Sequence, residues 1–139
     1  MATIGEQTNI LRRNSQQTAL IDHETGKSQT RLAYTELTAT GTISNWSGLV
    51  TLNHASTIIA ATFASTVTLE VGATLWIVNT SASGTAAHHI TLPSGFTFSG
   101  GSNNRATLDA PQEALLCVVV SSAKVQIVVN LGSVALSAV

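Results

Sequence analysis

Two neighbouring apolar runs dominate the pattern of hydrophobic and polar positions near the end of the chain. Residues 115–120 are apolar at every position, whereas residues 125–131 alternate between the two faces of an extended chain. A period of two that is rich in Val and Ile predicts strands. The polar residues 121–124 between the runs predict a β-hairpin with a four-residue turn. Because the first strand is apolar on both sides, we expect both of its faces to be covered, in part by a partner chain.

From residue 40 onward the chain shows short apolar or alternating runs, separated by Gly, Asn, Ser and Pro at intervals of about ten residues. This spacing is typical of a β-sandwich or barrel, and a helical period of 3.6 residues does not occur there. The sequence therefore predicts an all-β fold, with strands at residues 42–44, 49–52, 57–61, 66–70, 74–79, 88–92, 96–98, 105–108, 114–120 and 124–130.

Residues 1–40 have a different character. They are rich in Gln, Asn, Ser and Thr, and show no sustained strand or helical period apart from a brief helix predicted at residues 32–37. Such a segment buries too little apolar surface to fold by itself. We therefore expect an extended N-terminal arm over residues 1–40, which becomes ordered against another protein, and a β domain over residues 41–139.

Charged residues make up 9% of the chain, compared with about 25% in ordinary soluble domains. Eight of the thirteen lie in residues 1–36, and the other 103 residues contain only Glu70, Arg105, Asp109, Glu113 and Lys124. Charge normally protects sheet edges and keeps apolar patches soluble. We therefore expect much of the surface of the β domain to be covered by identical chains.

The same numbers argue against several classes of function. A net charge of −1 gives no electrostatic basis for binding nucleic acid or an anionic membrane. No apolar run is long enough for a signal peptide or a membrane helix, because polar residues 121–124 interrupt the longest one. The single Cys117 lies within an apolar strand, which predicts a buried hydrophobic residue in a protein that is made in a reducing cytoplasm or is indifferent to redox state.

Residues that could carry chemistry are few. His88 and His89 are neighbours in a strand and point to opposite faces, so they cannot bind one metal ion within a chain, although copies of either could meet on a three-fold axis. The acids Glu70, Asp109 and Glu113 do not form the carboxylate pair of a glycosidase, and Asp109 and Glu113 are expected to be solvated in one loop. Nucleophile and phosphate-loop motifs are absent from the sequence. We therefore expect no enzyme activity, no cofactor and no metal site.

The two tryptophans could stack on a sugar, but in a chain with so few aromatic residues we expect Trp46 and Trp76 to anchor the core or an interface.

The run GATLWIVNTSASGTAAHHITLPSGFTFSGG, residues 72–101, is followed by ATLDAPQEALLCVVVSSAKVQIVV, residues 106–129. Over residues 45–131 the chain resembles small β domains of tailed-bacteriophage virion proteins, which are found in trimeric capsid decoration (cement) proteins and in head- or tail-fibre modules. The resemblance implies a jelly-roll-like antiparallel β-sandwich that assembles as a homotrimer.

From this resemblance and the charge pattern we expect a decoration protein on the capsid exterior, with the major capsid protein as its partner. A trimer with three arms would clamp neighbouring capsid proteins, because tethering strengthens three weak contacts. The residues predicted to contact sister chains are Trp76, Val78, Leu116 and Val118. Those predicted to dock on the capsid are Ile10, Leu11, Arg12, Arg13, Leu20, Ile21, Asp22 and His23.

The alternative is a tail-fibre or receptor-binding tip module that recognises a host glycan and uses its N-terminal segment to attach to a tail.

Overall fold

The computed structural model describes residues 19–21, 28–30, 33–44, 46 and 48–139. The chain divides into two units, Met1–Ala33 and Tyr34–Val139. In the described part of the first unit, strand β1 (Ala19–Ile21) pairs antiparallel with β2 (Ser28–Thr30). The second unit contains all the remaining strands and is considered below.

The described residues of the second unit form strands and no helix, which confirms the predicted all-β class. The strands are β3 (Tyr34–Leu37), β4 (Gly41–Ile43), β5 (Gly48–Leu52), β6 (Ala60–Phe63), β7 (Thr74–Asn79), β8 (His88–Thr91), β9 (Thr97–Phe98), β10 (Arg105–Leu108), β11 (Ala114–Ser121), β12 (Lys124–Leu131) and β13 (Ala135–Ser137).

These strands form two sheets. One has six strands in the order β3-β5-β7-β11-β12-β9, and the other has five in the order β13-β10-β8-β6-β4. A single cluster of buried side chains joins them, with Val50, Ile77 and Leu115 from the first sheet and Ile90 and Ala106 from the second, all at 1% exposure or less. The two sheets therefore share one apolar core.

The first half of this unit is a parallel coil. From β3 to β8 the chain alternates between the two sheets, so β3, β5 and β7 are neighbours in one sheet and β4, β6 and β8 in the other. All four pairings among these six strands are parallel. Parallel neighbours need a crossover connection, and here a strand of the opposite sheet provides it.

The chain reverses direction after β8. Strand β10 pairs antiparallel with β8 and with β13, and β11 pairs antiparallel with β7 and with β12. The predicted antiparallel pairing is therefore correct for these four pairs and wrong for the coil, and β9 also pairs parallel with β12. A period of two in the sequence is the same in parallel and antiparallel strands, so the pattern could not distinguish them. The structure does not confirm the jelly-roll connectivity.

Two local predictions are also wrong, and one strand was not predicted. Residues 34–37, expected in the arm and in a brief helix, form β3, which pairs with β5 and so belongs to the second unit. Residues 66–70 alternate but form no strand in the structure. Leu69 is 7% exposed, but the segment pairs with no strand of either sheet. The alternating pattern therefore reflects burial of one side of the segment and not strand pairing. Strand β13 was not predicted.

The hairpin of β11 and β12 has a tighter turn than its polar residues indicated. Ser121 pairs with Lys124, so only two residues form the turn and not the predicted four. The register also shifts between Leu116 and Cys117, where Val129 and Ile127 are the successive partners. This β-bulge leaves Val128 unpaired and 57% exposed, which interrupts the strict alternation expected along β12.

We predict that replacement of Gly84 by Ala destabilises the fold strongly. Gly84 has φ = +110°, and an added Cβ would overlap the carbonyl oxygen of Ala55 in the connection from β5 to β6. Backbone strain and displacement of that carbonyl together should lower the free energy of unfolding by at least about 3 kcal/mol. Urea denaturation followed by tryptophan fluorescence measures the change.

The matched control is Gly95→Ala. Gly95 has φ = +89°, but an added Cβ there meets no atom within 4 Å. Only the left-handed backbone conformation is penalised, so we expect a loss of about 1 kcal/mol. Equal losses for the two variants would show that the contact between Gly84 and Ala55 does not hold these connections together.

Candidate interaction surface

The outer face of the six-stranded sheet carries a row of large apolar side chains. Backbone register places Tyr34, Leu49, Trp76, Leu116 and Val129 side by side across five neighbouring strands. Their strand neighbours Leu75 and Leu115 point inward and are 1% exposed or less, so this row faces away from the core. With neighbouring strands about 4.8 Å apart, the row is roughly 20 Å long.

Two further rows flank this one. Glu36, Thr51, Val78, Ala114 and Leu131 are aligned on one side, and Thr74, Val118 and Gln126 on the other. We call the three rows together the outer sheet face. Glu36 is its one charged residue, and it lies on the edge strand β3, where its Oε1 accepts a hydrogen bond from Asn53 Nδ2 at 3.2 Å. The centre of the face is uncharged.

The exposed fractions show that this face is only partly covered within the chain. Tyr34 is 59% exposed and Leu131 53%, while Trp76, Val78, Leu116 and Val118 are half-buried. A contiguous apolar patch of this kind is a typical protein contact surface, because covering it removes apolar area from water. The central strands of this face, β7 and β11, are each hydrogen-bonded to a strand on both sides, which fixes their backbones.

All four residues predicted to contact sister chains lie together on the outer sheet face. Trp76 pairs with Leu116 in the central row. Val78 and Val118 each lie two residues further along the same strands, in the two flanking rows. The structure thus brings the predicted set into one surface, while trimer formation itself stays a prediction.

The predicted docking residues fall in the first unit. Leu20 and Ile21 lie in β1, which pairs with β2. Ile10, Leu11, Arg12, Arg13, Asp22 and His23 lie outside the described residues.

A Ser–His pair is present in the second unit but cannot act as a nucleophile and base. Ser81 Oγ lies 3.2 Å from His88 Nε2, and His88 Nδ1 accepts the Ile59 N–H at 3.1 Å. Since Nδ1 supplies a lone pair, the neutral ring carries its proton on Nε2 and donates it to Ser81. A base in a catalytic pair needs the opposite tautomer, and His88 is also fully buried.

The other residues considered for chemistry lie in surroundings that are typical of structural or surface positions. Cys117 is fully buried, as predicted, and burial raises the pKa of its thiol to about 12. Glu113, expected to be solvated, is only 4% exposed, and its Oε2 accepts the Ala110 N–H at 3.0 Å, closing the loop before β11. Asp109 is exposed in the same loop. The His pair points to opposite faces as expected, with His88 inside and His89 half-buried.

A cavity of about 420 Å³ lies beside Trp46, with Ser44, Thr66, Thr68 and Glu70 on its walls. Trp46 is only 3% exposed and packs against Phe63, with ring centroids 5.1 Å apart. Its indole therefore belongs to the core and offers no free face on which a sugar could stack. Trp76, by contrast, lies on the outer sheet face.

No group of three or more His, Cys, Asp or Glu side chains in the described part of the chain could hold a metal ion. No helix found there has the length and apolar character needed to cross a membrane.

No protein-family model matches the sequence, and no curated protein matches it either.

Sequence reasoning missed a buried polar cluster at one end of the two sheets. Asn79 Oδ1 accepts the Ser81 N–H, and Asn79 Nδ2 donates to the Ala110 carbonyl at 2.9 Å. Ser81 also bonds the backbone of His54, and His54 Nδ1 accepts the Ser56 and Thr57 N–H groups. One signal was available: Asn79 and His88 occupy the same inward-facing positions as Ile77 and Ile90. Polar residues at core positions must find buried partners.

We predict that Cys117 is chemically inert in the folded protein. At pH 8 a thiol whose pKa is about 12 is almost entirely protonated, and burial also blocks access. Alkylation by iodoacetamide should therefore be slower than that of a small free thiol by at least a factor of about 100, and should become fast in urea. Mass spectrometry measures both rates, and rapid alkylation without denaturant would contradict the buried position.

Proposed function

We propose that this chain is a structural virion protein of a tailed bacteriophage, a capsid decoration protein that trimerises and clamps neighbouring major capsid proteins. The single observation that supports this proposal most strongly is the uncharged apolar centre of the outer sheet face. The apolar side chains at this centre need a surface that covers them. Identical chains supply that surface, because they are present wherever the protein is made. The resemblance of residues 45–131 to phage virion domains points to the same class.

Self-association through this face follows from its chemistry. Trp76 and Leu116 lie at its centre, and large aromatic and aliphatic side chains at the centre of an interface contribute most of its binding energy. Polar and charged residues lie at the margins, with Glu36 on one edge strand and Gln126 near the hairpin turn. An apolar centre with a polar margin is the usual anatomy of a stable interface.

The first unit supplies the attachment to the shell in this proposal. Residues 1–33 hold seven of the thirteen charged residues, including Arg12 and Arg13, whereas the 106 residues of the second unit hold six. Arginine forms paired hydrogen bonds with carboxylates and so suits docking on acidic groups of a capsid protein. Three such segments on one trimer would bind together far more tightly than one alone. Stabilisation of the shell follows by mass action, because the trimer binds the assembled lattice.

We predict that Val118→Lys converts the trimer to a monomer. Val118 is half-buried on the outer sheet face, so a lysine is tolerated in the single chain but would bury an unpaired ammonium between chains. The dissociation constant should rise by at least about 100-fold, which corresponds to roughly 2.7 kcal/mol. Size-exclusion chromatography with light scattering measures the mass.

The matched control is Val71→Lys, which makes the same chemical change at a site outside the three rows. Val71 is 66% exposed in the turn before β7. This variant should keep the mass of three 14.4 kDa chains. If Val118→Lys stays trimeric as well, the outer sheet face is not the contact between chains.

We predict that a chain lacking residues 1–33 remains trimeric but no longer binds heads. The cut is placed before Tyr34, because β3 belongs to the sheet and a longer deletion would remove an edge strand. Binding is measured by co-sedimentation with procapsids and expanded heads stripped of this protein. Arg12→Ala combined with Arg13→Ala in the full chain should weaken binding without changing the mass.

Two outcomes would contradict this division of roles. Loss of the trimer on deletion would place the first unit in the assembly contact. Unchanged head binding would remove the first unit from docking, and a positive glycan-array signal from the full chain would then favour the fibre-tip alternative.

A further inference from the structure

The buried polar cluster around His88 joins two connections of the parallel coil, the one from β5 to β6 and the one from β7 to β8. Ile59 lies in the connection from β5 to β6, and Ser81 in the connection from β7 to β8. The imidazole of His88 stands between them, because Nδ1 accepts the Ile59 N–H at 3.1 Å and Nε2 lies 3.2 Å from Ser81 Oγ. Ser81 Oγ in turn is hydrogen-bonded to the backbone of His54, which follows β5.

Each hydrogen-bonding group in this set has a partner only when His88 is neutral. The Nε2–H donates to Ser81 Oγ, which also accepts the His54 N–H at 3.1 Å. The Ser81 hydroxyl donates its own proton to the His54 carbonyl, again at 3.1 Å. The Ile59 N–H occupies the remaining lone pair on Nδ1. No acceptor is left in this set for a second proton on the ring.

A proton added at Nδ1 would face the Ile59 N–H, so two donors would oppose each other at a fully buried site. The titratable groups that act on His88 among the described residues are His54 and His89, and a positive charge on either disfavours one on His88. Burial lowers the pKa of His88 most, repulsion by His54 and His89 lowers it further, and a backbone hydrogen bond of His54 partly opposes these effects.

We propose that His88 is an acid-sensitive latch that holds residues 53–59 and residues 80–88 together, and that its protonation separates these two connections. The proposal is independent of the proposed function, since it concerns the fold of one chain. The close approach of Gly84 to Ala55 lies in the same two connections, so their separation would remove that contact as well.

The direction of the pH effect follows from proton linkage. The unfolded imidazole has a pKa near 6.5, and the folded one lies lower, so below pH 6.5 the open state binds more protons than the closed state. The latch is therefore fully effective above pH 6.5 and weakens as the pH falls toward the pKa of the folded form. Uptake of one proton increases the open population by at most about tenfold for each pH unit in this window.

The test is amide hydrogen exchange of the full chain at pH 7.5 and pH 5.0, with rates corrected for the intrinsic effect of pH. We expect peptides covering residues 53–59 and 80–88 to exchange up to tenfold faster per unit below pH 6.5. Peptides covering the β11–β12 hairpin should show no such change. Equal corrected rates at the two pH values in the two connections would overturn the proposal.

Variants identify the responsible residue. His88→Gln keeps a donor and an acceptor but cannot titrate, so its exchange should be independent of pH even if it is faster overall. His89→Gln is the matched control, because the adjacent half-buried histidine points to the other face, and this variant should keep the pH response. A pH response that persists in His88→Gln would assign the effect to another group and overturn the latch.

If His88→Gln does not fold, long-range ¹H–¹⁵N NMR of the wild-type histidine rings decides instead. The latch requires His88 in the Nε2–H tautomer, neutral until the two connections open. Protonation of His88 near pH 6.5 with those connections still closed would overturn it.

Discussion

Removal of the outer sheet face from water is the constraint on which the account of this protein depends. The inner faces of both sheets are covered by one another, and their side chains form a single core of nearly inaccessible residues. The three rows of the outer sheet face have no such cover within the described unit, yet their centre around Trp76 contains no charge. A contiguous apolar sheet surface of this kind typically marks a contact surface for another molecule.

The parallel coil explains why the face is continuous. Strands β3, β5 and β7 are added in the same direction, with connections that pass through the opposite sheet, and β11 continues the same sheet after the chain reverses. Each added strand contributes one large side chain to the central row. The polar cluster of Asn79, Ser81 and His88 then closes one end of the sandwich, where the connections would otherwise bury unsatisfied backbone groups.

Much of this architecture could be predicted from local pattern. Strands β7 and β10 have the predicted bounds, and the others predicted within the second unit are shifted at their ends, apart from residues 66–70. Trp76, Val78, Leu116 and Val118 could be placed on one surface because period two and a central hairpin determine which side chains share a face. The parallel pairing could not be predicted, since it depends on which strands become neighbours across the two sheets. The partners of His88 lie 7 and 29 residues away, beyond the reach of local pattern.

The most direct test of the central claim is hydroxyl-radical footprinting of the full chain, combined with its sedimentation mass. Tyr34 and Trp76 are reactive side chains in the central row, and Tyr34 is 59% exposed in the single chain. We expect a mass of three chains, with the Tyr34 and Trp76 side chains protected from oxidation. A single 14.4 kDa species at high concentration, or a trimer in which Tyr34 and Trp76 are readily oxidised, would contradict it.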